Sequence, residues 1–187
     1  MTNPIVNFLL FQTCWLANVG GAAVGWPVAG PLFTAVWIGI HLGTLPEDKV
    51  GESRLLLAAA AFGFAADSLL ALLGLIEFPD HARFGWPSPA WMVALWIGFA
   101  ATLRHALRWL NGRLISGAIL GAVGGPLAYR AGEILGAVAI PQLLPGLAAV
   151  SFVWLVAMPV LLWISKLKKP DPAFELARSS SRTGSSR

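Results

Sequence analysis

Basic side chains at the end of an apolar segment are the first residues of this sequence that could do chemistry. The stretch "WIGFAATLRHALRWL" (96–110) begins apolar and aromatic, and it then carries Arg104, His105 and Arg108. At about 100° per residue, the three side chains fall within one arc of a helix. Arg108 is close to the end of the segment and is expected to reach the lipid headgroups. Arg104 and His105 lie deeper, where they could hold an anionic phosphate group through charge-assisted hydrogen bonds.

Polar residues inside two other apolar segments form a second set of candidates. Asp67 lies in "GFAADSLL", and Tyr129, Arg130 and Glu133 follow "GGPLA". A charged residue at the bilayer centre costs about 2.5–3.5 kcal/mol on insertion scales, so such residues usually have partners inside the bundle. Arg130 and Glu133 have the i, i+3 spacing of a pair on one helix. Asp67 and Arg130 lie at similar depth, which predicts a cross-helix ion pair, either structural or part of a polar site or proton relay.

Side-chain amides and a histidine complete the set of polar candidates. Asn7 and Gln12 lie on the first apolar segment, and His41 lies near the end of the second. Amides that bridge helices contribute about 0.6–2 kcal/mol each, and such bridging is the favoured interpretation of the amides here. His41 lies at about the depth of Arg104 and His105, but whether these residues meet depends on the packing order of the helices.

Several kinds of chemistry find no support in the sequence. The three histidines lie in different segments and match no metal-ligand spacing, so no metal site is predicted. A Gly-rich phosphate loop and the motifs HExxH, CxxC and GxSxG are all missing from the sequence, and no cofactor is predicted. The single cysteine, Cys14, excludes an intramolecular disulfide, and its apolar surroundings are typical of a small buried residue.

The composition is that of a membrane protein. The 187 residues are 57% hydrophobic and 12% charged, whereas soluble domains carry about 25% charged residues. A helix that crosses a hydrocarbon core of about 30 Å needs about 20 apolar residues. The sequence therefore predicts an all-α fold, a polytopic membrane bundle of six transmembrane helices, over about residues 5–24, 28–45, 53–76, 90–110, 114–138 and 147–167.

The distribution of Lys and Arg predicts the orientation of this bundle, because cytoplasmic loops carry an excess of both. Placing both termini in the cytoplasm leaves only Arg83 in the outside loops. We therefore expect a multi-pass protein of the bacterial inner membrane, with a transmembrane domain over residues 1–169 and a disordered, basic cytoplasmic tail over 170–187. Lys166, Lys168 and Lys169 in "KLKK" and the three arginines of the tail form a basic cluster beside the membrane. The net charge of +4 therefore suits an anionic membrane surface rather than nucleic acid.

The fifth segment combines closely spaced glycines with a proline. Gly117, Gly121 and Gly125 recur at a spacing that places them on one helix face, where small residues let helices approach closely. Pro126 follows directly, and because proline removes a helical hydrogen bond we expect a kink or local break there. A kink would also be a suitable place for a polar cavity.

The order of these motifs resembles a known family. "NFLLFQ", "DSLL", "PAWMVALWIGFAATLRHALRWL" and "GAVGGPLAY" are similar to motifs of the bacterial domain-of-unknown-function family 2878, over about residues 5–165. These are small integral membrane proteins, and the resemblance implies no particular activity. Genes of the family often lie near those of fatty-acid-modifying enzymes such as cyclopropane-fatty-acid synthases, which implies a link to membrane lipid modification by association only. The matching residues are Asn7, Gln12, Asp67, His105, Trp109, Gly125, Pro126 and Tyr129.

Three classes of function are compatible with these features. The first is a role in membrane lipid (fatty-acyl) modification or in handling an anionic headgroup, as an enzyme or not, with membrane lipids such as an anionic phospholipid as partners. The second is a small transporter or channel that uses Asp67 and the expected kink. The third is a non-catalytic assembly partner of another membrane protein, which would explain why the sequence offers few acid–base pairs and no evident nucleophile.

Overall fold

Six α-helices make up the described part of the fold. The structure, a computed structural model, describes residues 3–45 and 48–167, and the predicted tail 170–187 lies outside the described residues. The helices are α1 (Pro4–Ala23), α2 (Ala29–Thr44), α3 (Lys49–Leu72), α4 (Ala90–Leu103), α5 (Leu114–Leu135) and α6 (Leu143–Ser165). Within the described ranges there is no β-strand, only one isolated backbone bridge between Glu77 and Ala139. The predicted all-α fold and the number of helices are confirmed.

The distribution of polar and apolar side chains is that of a membrane protein. Large apolar side chains such as Ile115, Leu127 and Leu144 are exposed on the outside of the bundle. Polar and charged residues lie inside it, among them Asn7, His41, Glu52 and Asp67. Burying polar groups while exposing apolar ones is favourable only where the surroundings are hydrocarbon.

The six helices differ in length relative to a bilayer. Four of them, α1, α3, α5 and α6, are long and apolar enough to cross a membrane. The other two, α2 and α4, have 16 and 14 residues and would extend about 24 and 21 Å at 1.5 Å per residue.

Opposite ends of the bundle bring together different parts of the chain. At one end, the His105 end, the start of α1 meets the turn after α4, and the end of α2 meets the start of α3. At the other end, the His81 end, the loop between α3 and α4 contacts the chain after α5, where the imidazole of His81 hydrogen-bonds to the carbonyl oxygen of Gly136. Successive helices therefore run in alternating directions.

A stacked pair of tryptophans lies at the centre of the bundle. The rings of Trp96 on α4 and Trp154 on α6 are parallel within 12°, with centroids 4.5 Å apart. A Cβ atom added at Gly63 of α3 would overlap the ring of Trp96, and one added at Gly125 of α5 would overlap that of Trp154. Glycine at these two positions therefore lets four helices converge on one aromatic layer.

The fifth helix confirms one sequence prediction and corrects another. Gly117, Gly121 and Gly125 all face side chains of α6, as their spacing predicted. α5 continues through Pro126 to Leu135, so the local break does not occur, whereas the kink stays a prediction. Pro126 lies more than two turns inside the helix, and the glycines before it pack closely on α6.

The fourth helix ends earlier than the sequence predicts. It stops at Leu103 instead of continuing to Leu110, and the chain forms turns before a short 3₁₀ helix at Arg108–Leu110. The carbonyl oxygen of Thr102 accepts hydrogen bonds from the backbone N–H groups of both His105 and Leu107, which closes the helix end. The predicted single helical arc of Arg104, His105 and Arg108 is therefore wrong, and Arg108 points to the exposed surface.

Candidate functional site

Two histidines lie close to the carboxylate of Glu52 at the His105 end of the bundle. Its Oε1 atom lies 2.9 Å from Nε2 of His41 and 3.9 Å from Nε2 of His105. The two imidazole rings meet edge to face, with centroids 4.9 Å apart. His41 and Glu52 are fully enclosed, and the side chain of His105 is 11% exposed. These three residues, called the His–Glu–His cluster below, come from α2, α3 and the turn after α4.

Arg104 faces the same carboxylate from the other side. Its Nε lies 3.6 Å from Oε2 of Glu52, and its NH1 donates a hydrogen bond of 2.8 Å to Asp48. Asp48 also caps the start of α3 by accepting a hydrogen bond from the backbone N–H of Gly51. Two carboxylates thus flank one guanidinium, which leaves Arg104 little charge to offer the headgroup phosphate considered from sequence.

Asn7 of α1 stabilises the backbone around the end of α4, which positions Arg104 and His105. Its side-chain amide donates to the carbonyl oxygen of Ala101 at 3.2 Å, and its Oδ1 accepts from the backbone N–H of Ala106 at 3.4 Å. These two bonds bridge the last turn of α4 and the segment that follows it. The amide therefore supports the helix end that directs Arg104 and His105 towards α3.

The surroundings bias the protonation of two groups in this region. Burial lowers the pKa of His105, and the positive charge of Arg104 acts in the same direction, although Glu52 opposes both. Burial acts to raise the pKa of Asp48, but the hydrogen bond and the charge of Arg104 outweigh it and hold that pKa below its ordinary value. The neutral form of His105, which has a free nitrogen lone pair, is therefore favoured beside an ionised Asp48.

Sequence reasoning found part of this cluster. His41, Arg104 and His105 were candidates, and the structure brings all three together, whereas Arg108 lies apart. Asp48 and Glu52 were missed, because both belong to the polar stretch "PEDKVGESR" and look like solvated residues in the sequence. The available signal was that Glu52 lies in the first turn of α3, at the end of the bundle where His41 is also found.

Asp67 occupies a separate site in the interior of the bundle. The carboxylate is fully buried, and each of its oxygens accepts one hydrogen bond. Trp96 donates through Nε1 at 2.8 Å, and Tyr129 donates through its hydroxyl. The cross-helix pair predicted with Arg130 does not form, because Arg130 is on the exposed face of α5 and pairs there with Glu133. That i, i+3 pair on one helix confirms the local part of the prediction.

An apolar cavity of about 380 Å³ lies next to this buried carboxylate. Its wall contains the aromatic residues Phe11, Trp15, Trp91, Trp96, Phe99 and Trp154. Tyr129 and Gln12 are the polar side chains on the wall, and Gln12 makes no hydrogen bond within the described part of the chain. Amides were expected to bridge helices, and Asn7 does so, but Gln12 faces the cavity instead.

The cavity opens sideways between α1 and α5. The lining residues Gln12, Leu120 and Gly124 are exposed, whereas Met92 and Trp96 at the back are buried. Around this mouth the outer surface carries exposed apolar side chains, including Leu16 and Leu127. The opening therefore faces the region that hydrocarbon would occupy.

Comparison with known proteins places the chain in a family without assigning it an activity. No match is found among curated proteins or among solved structures. The model of the family described as "Protein of unknown function (DUF2878)" matches residues 4–160. This match covers most of the chain and agrees with the motifs noted in the sequence, so the protein belongs to the DUF2878 family.

Proposed function

We propose that this protein binds a membrane lipid by admitting an acyl chain into the cavity between α1 and α5. The observation that carries the proposal is the lateral mouth of an apolar, aromatic-lined cavity on a surface suited to hydrocarbon. Its volume of about 380 Å³ lies within the range of about 300–1,000 Å³ typical of small-molecule sites. A molecule dissolved in the bilayer could enter from the side without crossing water.

The polar side chains on the wall suggest how such a ligand would be oriented. Gln12 lies at the mouth, and its amide makes no hydrogen bond with the residues that the structure describes, so a polar group on the lipid could pair with it. Tyr129 lies deeper and donates its hydroxyl hydrogen to Asp67. This arrangement supports lipid binding more than transport, since the partners of Asp67 are a tryptophan and a tyrosine rather than a chain of titratable groups.

Photocrosslinking in lipid nanodiscs tests the proposal directly. A phospholipid with a diazirine in the middle of one acyl chain is incorporated and photolysed, and the labelled residues are mapped by mass spectrometry. We expect adducts on Met92 and Met158, which line the cavity and are 4% and 1% exposed. Bulk lipid on the outside of the bundle would reach them far less than a chain inside the cavity.

Two glycine variants distinguish cavity binding from surface labelling. Gly124 lines the mouth and has no atom within 4 Å of an added Cβ, so Gly124→Leu should narrow the mouth without disturbing the fold. Gly39 on α2 is equally open but remote from the cavity, and Gly39→Leu is the matched control. We expect Gly124→Leu alone to abolish labelling of both methionines. Labelling confined to exposed outer residues in the wild-type protein would refute the proposal.

A further inference from the structure

The His–Glu–His cluster presents three donor atoms to one point inside the protein. Nε2 of His41, Nε2 of His105 and a carboxylate oxygen of Glu52 come from three separate segments of the chain. One ligand atom from each residue lies within 4.8 Å of the others. Linear spacing could not reveal this convergence, which is why the sequence predicted no metal site.

The spacing of these donors matches what a small cation requires. Nitrogen and oxygen ligands bind zinc at about 2.0–2.2 Å, and tetrahedral bonds of that length place neighbouring ligands about 3.4 Å apart. Oε1 of Glu52 lies 2.9 Å from Nε2 of His41 and 3.9 Å from Nε2 of His105. These separations bracket the required distance, so shifts of side-chain torsion angles would bring the three atoms into place.

We propose that His41, Glu52 and His105 bind a divalent transition-metal ion of the Zn²⁺ type. Two imidazoles and one carboxylate suit such an ion better than Mg²⁺ or Ca²⁺, which prefer oxygen ligands alone. Three protein ligands also leave a coordination position for water or another small molecule, as in catalytic zinc sites.

The charges around the cluster are compatible with a bound cation. Asp48 and Glu52 carry two negative charges, and Arg104 compensates one of them. The guanidinium lies on the Oε2 side of Glu52, while Oε1 faces both histidines. Arg104 therefore acts as an outer-shell partner that orients the carboxylate, a role that commonly supports metal ligands.

One unpaired nitrogen atom provides independent support. Nε2 of His105 is buried and makes no hydrogen bond within the described residues. A buried polar atom without a partner costs about 1–3 kcal/mol, and coordination to a metal ion would remove that cost for His105. The ion would reach the site past His105, because Arg104 and Asp48 beside it are partly exposed.

Metal titration of the full-length protein in detergent, purified without a polyhistidine tag, tests this site. After treatment with a chelator, Co²⁺ is added and its visible absorption, which reports the coordination geometry, is recorded before Zn²⁺ is added in competition. We expect one equivalent of Co²⁺ to bind and to be displaced by Zn²⁺. Zn²⁺ should also raise the midpoint of thermal unfolding, because a ligand that binds only the folded state stabilises it.

The variant His105→Gln is the most informative, because the fold does not depend on a hydrogen bond from its Nε2. We expect it to weaken Co²⁺ binding by at least about 100-fold, the upper end of what losing an outer-shell partner costs. His81→Gln, which changes the exposed histidine at the opposite end of the bundle, is the control and should bind like wild type. Equal affinity in wild type and His105→Gln, or no Co²⁺ binding by the wild type, would overturn the proposal. Neither result would affect lipid labelling in the cavity, so the metal site and the lipid-binding cavity are tested independently.

Discussion

At the scale of single residues, the pairing of Asp67 shows how this protein holds a carboxylate away from water. Both oxygens accept hydrogen bonds, from the indole of Trp96 and the hydroxyl of Tyr129. The carboxylate has no cationic partner within the described residues. The free energy of the buried carboxylate therefore depends on these two donors, and removing either one should destabilise the fold.

Replacing Tyr129 with Phe should lower the free energy of unfolding by about 1–3 kcal/mol, because it leaves one buried oxygen of Asp67 without a donor. The measurement is equilibrium unfolding in mixed detergent. The same replacement in an Asp67→Leu background is the control, and there it should cost much less, because the oxygen that needs the donor is gone. An equal cost in both backgrounds would show that the Tyr129 hydroxyl stabilises the protein independently of Asp67.

Sequence analysis identified Asp67 and Tyr129 as polar residues inside the bundle, but it predicted the wrong partner. Depth along a helix follows from residue number, so Asp67 and Arg130 were correctly placed at similar levels. The direction in which a side chain points depends on helix rotation and packing order, which neither depth nor hydropathy determines. Tyr129 faces the interior and its neighbour Arg130 faces outwards, because successive helical residues differ by about 100°.

At the scale of whole elements, two glycines decide how closely the helices approach the central tryptophans. Gly63 lies against the side chain of Trp96, and Gly125 lies against that of Trp154. The spacing of Gly117, Gly121 and Gly125 was enough to predict which face of α5 packs, since a periodic pattern directly defines a helix face. The end of α4 was not predictable in this way, because it depends on Asn7, a residue far away in sequence.

Neighbouring glycines on α5 should respond in opposite ways to the same substitution. Gly125→Ala places a methyl group into the ring of Trp154, and overpacking of this kind costs about 1–3 kcal/mol. Gly124→Ala meets open space and should be neutral or stabilising by up to about 1 kcal/mol, because alanine loses less backbone entropy in a helix. Thermal unfolding in detergent would measure both. A similar change in the two variants would contradict the close approach of α5 to α6.

At the scale of the whole molecule, the length of α4 and the charge distribution bear on which helices cross the bilayer. Six helices run in alternating directions, but α4 extends only about 21 Å, less than a hydrocarbon core of about 30 Å. The residues after Leu103 lengthen this segment through turns and the short 3₁₀ helix up to Leu110. The Lys and Arg distribution predicts that the loops on either side of α4 lie on opposite faces of the membrane.

Labelling of single introduced cysteines can test this topology, because the only native cysteine, Cys14, is fully buried. Asp80→Cys reports on the loop before α4 and Asn111→Cys on the loop after it, and neither substitution alters the Lys and Arg distribution. In spheroplasts, a membrane-impermeant maleimide should label Asp80→Cys. Asn111→Cys should react only in inverted membrane vesicles. Labelling of both from one side would mean that α4 does not cross the membrane. That result would contradict the charge bias, which places the loops before and after α4 on opposite faces of the membrane.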